Sequence, residues 1–257
     1  MANIIKSDLY RFGKSKLLYG IIIFTGVIAF ALIMLARQDI RVGISVFGNL
    51  TAFKGIDDVI QIGLSYQKGL GIFIAILLSI FIGQEYQWKT WQHKWITNKS
   101  RARIYLSKAM LSSAASASIF LIFEVVALLA SNQIREILIS GYVATVICGL
   151  FIYAALGALI CMLSMLIKND IASTVICLCY VLFSETLASV IGNVSSFSET
   201  VSRFMGWVIQ HSIYGMSTAV SSTIASTNLV LSIIINSLVT MLLSTAIGLT
   251  AFRKYEL

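Results

Sequence analysis

The chain has 257 residues, 58% of them hydrophobic and only 12% charged, with a net charge of +8 and no proline. A typical soluble domain is roughly a quarter charged, and a soluble fold of this length could not hide so much apolar surface from water. The basic excess is no argument for nucleic acid either, because it collects between particular apolar runs.

Residues 3–16 open the chain. Ile5, Leu9 and Phe12 fall on one helical face, and Ser7, Arg11 and Lys14 on the other. The spacing predicts an interfacial helix over 1–16, lying under the first apolar run; the alternative is a basic, disordered leader. Six apolar runs come next, at 17–36, 62–82, 109–130, 142–167, 171–191 and 229–249. Each is about the twenty residues that an α-helix needs to cross a bilayer core. The first is too long for a signal-peptide core, and its Ala29-Phe30-Ala31 lies inside the run rather than after it, so it reads as a retained span. Runs of this length without strict alternation favour helices over barrel strands. The fold class is therefore an all-α membrane protein of six transmembrane helices, a single domain over 1–257.

The segment 83–108, between the second and third runs, holds three of the four tryptophans. Trp88, Trp91 and Trp95 share one helical face while Lys89, Gln92 and Lys94 point elsewhere. An aromatic belt at headgroup depth accounts for Trp88. About 26 residues is far more than a helix connection needs, and a helix resting on lipid that offers its other face to a soluble partner would use them. In the third run, 112–118 is seven small residues in succession, which lets helix backbones approach closely. Glu124 lies in the same run and Glu185 in the fifth. An unpaired charge at that depth costs a few kcal/mol or more, so each is neutral, paired or facing a wet cavity.

Cys148, Cys161, Cys177 and Cys179 all fall in apolar runs, and His93 and His211 on opposite sides, so no metal site is expected. The segment 192–228 has only Glu199 and Arg203 as charges yet contains Phe197, Phe204, Trp207, Val208 and Tyr214, too apolar for a solvated loop. Thirteen Lys and Arg precede the first run, separate the second from the third and the fourth from the fifth, or follow the sixth; six lie on the other side. The positive-inside rule puts both termini and the 83–108 segment in the cytoplasm.

With Gln84-Glu85-Tyr86, then Thr90-Trp91, then Ser100-Arg101 and Leu106-Ser107-Lys108, the segment resembles the inner loop of ABC-2 type permeases of ATP-binding-cassette transporters. Lys89 stands where that family usually has Gly. The six-run layout and the Phe252-Arg253-Lys254 tail are similar too, and a closer likeness is to permeases that export amphipathic peptide toxins, such as phenol-soluble modulins, or protect against peptide antibiotics. The resemblance implies a bacterial plasma-membrane permease working as a homodimer or heterodimer. Its 83–108 loop would carry a coupling helix to a separate ATPase through Glu85, Thr90, Trp91, His93 and Arg101. Short re-entrant helices over 192–228 would cap the outer side of the path. No phosphate loop occurs in the chain, so ATP and Mg are expected on the partner, with no cofactor bound here and no catalysis by this subunit. Glu124 and Glu185 would line a path attractive to cationic amphipathic peptide. The alternatives are a proton-coupled secondary transporter using the same two carboxylates, and a non-transporting membrane scaffold.

Overall fold

A computed structural model describes residues 2–38, 43–46, 49–52, 62–88, 90, 100–132, 141–167, 169–194, 199–222 and 227–254. Helix α1 (Ala2–Gly13) leads through two residues into α2 (Lys16–Arg37). A short antiparallel hairpin follows, β1 (Gly43–Val46) against β2 (Asn49–Ala52), with Gly43 opposite Ala52 and Val46 opposite Asn49. Then come a 3-10 turn (Tyr66–Lys68), α3 (Leu70–Gln87), α4 (Arg101–Ser131), α5 (Tyr142–Ile167), α6 (Asp170–Val194), α7 (Glu199–His211), α8 (Ile213–Ser222) and α9 (Thr227–Lys254). The hairpin holds the only strands among the described residues. Six helices, α2, α3, α4, α5, α6 and α9, are long and apolar enough to cross a membrane.

Helix α5 holds the centre. It packs most extensively against α4 and α9 and also touches α3, α6 and α8, while α3 lies on α6 and α2 on α4. Close approach explains the centre. A Cβ on Gly157 would collide with Ser116 Oγ and the Ser112 carbonyl, and the Ser116 hydroxyl donates to the Tyr153 carbonyl at 2.6 Å. The small residues of 112–118 thus let α4 and α5 meet nearly backbone to backbone. Nearby, Phe120 stacks on Tyr153 with ring centroids 4.7 Å apart. Outside this centre, α2, α6 and α9 turn large apolar side chains outward, among them Phe30, Val175, Leu187 and Leu242. Such a surface suits hydrocarbon as its solvent.

Three expectations shift. The second span starts at Leu70 and not near 62, because 62–68 folds as a separate buried segment in which Tyr66 and Gln67 are enclosed. The third span starts at Arg101, eight residues before its apolar run, and its 31 residues reach about 46 Å. A bilayer core is about 30 Å. Between the end of α3 and the start of α4 the 83–108 segment therefore shrinks to residues 88–100, most of which, Trp91 and His93 included, lie outside the described residues. Finally, the buried stripe of α1 is Ile4, Asp8 and Phe12, and Leu9 points outward. A carboxylate stands where an apolar face was read, because its partner is a cation supplied by another helix.

Candidate functional site

Two buried polar clusters sit towards opposite ends of the helix bundle. The first gathers α1, α3 and α4. Lys108, wholly buried in α4, places its Nζ 2.8 Å from Glu85 Oε1 on α3 and 3.1 Å from Asp8 Oδ1 on α1. Arg11 reaches the same Glu85 oxygen at 2.7 Å and donates to the Phe81 carbonyl at 2.9 Å. The Ser107 hydroxyl donates to Asp8 Oδ2 at 3.0 Å. Both cations lie over the Phe81 ring, the Arg11 guanidinium carbon at 4.2 Å and the Lys108 Nζ at 4.6 Å from its centroid. Phe12 meets the same ring edge-on at 4.8 Å. Two anions and two cations from three elements thus meet: Asp8, Glu85 and Lys108 are enclosed, where each charge is tolerable only because its partners are there, and the partly exposed Arg11 closes the cluster from outside.

Glu85 is consequently buried at the end of α3 and occupied by cations of this chain. Thr90 donates to the Glu85 carbonyl at 3.4 Å and Trp88 caps the helix with its ring exposed. Arg101 opens α4. Asp8, Arg11, Ser107 and Lys108 escape a reading by apolar runs, because all four lie outside the runs and only Arg11 and Lys108 count there, as basic residues flanking the spans. The signal was present: opposite charges, Glu85 and Lys108, stand at the facing ends of consecutive antiparallel spans.

The second cluster surrounds Glu124, buried in α4 seven residues before the helix ends. Its Oε2 accepts from the Tyr142 hydroxyl at 2.8 Å. Its Oε1 is buried without a hydrogen-bond partner and lies against Gly63, where a Cβ would strike it. The Gly63 carbonyl accepts from Tyr153 at 2.6 Å, and the neighbouring Leu64 carbonyl from Ser217 of α8 at 2.8 Å. So the 62–68 segment is held by α4, α5 and α8 around the carboxyl group. Tyr66, in the same segment, faces Ser184 and Tyr180 without reaching hydrogen-bond geometry to either, and burial pushes its phenol up, which keeps it protonated. Glu185 lies half-buried on α6, near Tyr214 rather than Glu124. Burial first, and then the Glu185 charge, push the Tyr214 phenol up.

All four cysteines are free: Cys148, Cys161 and Cys177 are buried and Cys179 is exposed. Among the described residues no group of three or more His, Cys, Asp or Glu side chains is placed to hold a metal. No family model and no curated protein matches the chain.

Proposed function

We propose that this chain is the membrane-spanning subunit of an ATP-driven exporter of amphipathic peptides, energised by a separate ATPase. In this reading both termini are cytoplasmic, α1 lies at the inner interface, and the 88–100 segment carries the coupling helix that docks into the ATPase. Helices α7 and α8 dip back to cap the outer side of a path formed with a second permease copy. What supports it is the Lys108–Glu85 pair, which pins the inner ends of α3 and α4 on either side of that segment. A docked helix can work two long helices as a lever only if its base is stiff. The Glu124 cluster, in the other half of α4, offers a carboxyl group to a cationic substrate.

The test is co-purification of the full chain with any ATP-binding-cassette ATPase of its native cells, followed by ATP hydrolysis with and without a cationic amphipathic peptide. A stable complex whose hydrolysis rises with peptide is expected. A permease that retains no ATPase and transports peptide only while a proton gradient stands would overturn this in favour of a proton-coupled carrier. The buried, half-satisfied Glu124 carboxyl is the observation that favours that second reading.

A further inference from the structure

We propose that Asp8, Arg11, Glu85 and Lys108 form a latch that locks the N-terminal helix across the inner ends of α3 and α4 and thereby positions the 88–100 segment. The positioning role rests on the proposed coupling function of that segment; the latch itself does not.

Simple neutralisation of Lys108 does not account for the cluster. Glu85 alone, at 2.8 Å, would serve to insert a lysine at the end of a span. Yet α1, an element outside the spans, adds a second buried anion, Asp8, and a second, partly exposed cation, Arg11, to the same cluster. Nor is α1 held as a simple lipid anchor is held. An anchor needs an apolar stripe and solvated charges, whereas the inward stripe of α1 carries Asp8, with one oxygen on Lys108 and the other on Ser107. Buried ion pairs add little net stability over apolar packing, but they penalise any arrangement that separates the partners. Their use is registry: α1 fits here in one position, and releasing it leaves Lys108 and Glu85 short of a partner each. Because only Lys14 and Ser15 join α1 to α2, a shift of the latched ends is passed on to the first span.

The experiment uses the full chain in membrane vesicles, with the four native cysteines replaced and Ile4→Cys introduced as a reporter on the enclosed face of α1, where Ile4 is 3% exposed. A water-soluble thiol reagent is applied from the cytoplasmic side. Labelling of the parent is expected to be slow, and Lys108→Met should accelerate it several-fold by taking from Asp8 and Glu85 the buried cation they share. Asp8→Asn, on a helix outside the spans, should also accelerate it, and keeps the test open if Lys108→Met does not accumulate. The double variant retains one anion and one cation in the Glu85–Arg11 pair, and its labelling should return towards the parent rate, a coupling that independent effects would not show. Either single variant labelling at the parent rate, or a double variant labelling as fast as the singles, overturns the latch.

With the ATPase present, Lys108→Met should keep the ATPase bound but lose peptide-stimulated hydrolysis, and the double variant should regain it. A Lys108→Met complex coupled like the parent overturns the positioning role. A parent that binds no ATPase overturns the proposed function, while the labelling still decides the latch.

Discussion

The Tyr142 hydroxyl donates to Glu124 Oε2 at 2.8 Å, joining the first residue of α5 to the last third of α4. Because Glu124 Oε1 has no partner, this phenol is the contact on which the carboxyl group depends. Tyr142→Phe removes the donor while keeping the ring, and is expected to lower stability by about 1–3 kcal/mol. Thermal unfolding of the detergent-purified protein, followed by exposure of a buried native cysteine, is the measurement. A midpoint equal to the parent's would mean that Tyr142 does not support Glu124.

Glu124→Gln keeps the shape and can still accept from Tyr142, so folding should persist. Transport of a cationic peptide is expected to fall, because no charge can then form at that position. Normal uptake by inverted vesicles at parent expression would assign Glu124 a purely structural part.

At the crossing of α4 and α5 even a methyl group has no room. Gly157→Ala must displace the Ser112 backbone and should cost about 1–3 kcal/mol. Gly20, inside α2, has nothing within 4 Å of the position a Cβ would take, and Gly20→Ala should be neutral or stabilising by up to about 1 kcal/mol. Comparing the two melting midpoints tests whether α4 and α5 meet as described.

The proposed orientation rests on the uneven distribution of Lys and Arg. A cysteine at the exposed Ser100, in the background without native cysteines, should react with a membrane-impermeant reagent only after the cytoplasmic side is opened. Labelling on intact cells would reverse the topology and with it the proposed docking of an ATPase.

His93→Pro bears on the proposed coupling role of the 88–100 segment. Proline removes a backbone donor and disfavours a helix there by about 3 kcal/mol, while the six long helices stay intact. The expected result is an inserted permease whose peptide-stimulated ATP hydrolysis is lost. A variant that binds and stimulates its ATPase like the parent would show that this segment is not the lever.

Hydropathy made the span count legible because lipid demands long apolar helices. It located α5 to the residue, since the apolar run ends at Ile167 and Lys168 follows at once. The same signal misplaced the start of α3, where Ile62 and Leu64 prolong an apolar run although they belong to a separate short segment that precedes the helix. It also cut α4 short, since Arg101, Arg103 and Lys108 read as loop charges. Hydropathy scores a residue by itself, and Lys108 is buried only by virtue of Glu85 and Asp8, which are distant in sequence. Glu124 was legible as an unusual charge, but its neighbours were not, because Tyr142 reaches it only when α5 packs on α4, and Gly63 only once 62–68 has folded inward.

Enclosure is unevenly shared among the long helices: 56% of the most apolar stretch of α5 is buried inside the protein, against 17% for α9. The two helices therefore tolerate change differently. On the outward face of α9, Ile235, Leu242 and Ile247 are more than half exposed and have no tight fit within this chain to satisfy, so another oily residue of similar length serves. On α5, Gly149 and Gly157 each sit where one added carbon meets a ring or a carbonyl, so composition can drift freely around the rim while the spelling of the centre stays pinned.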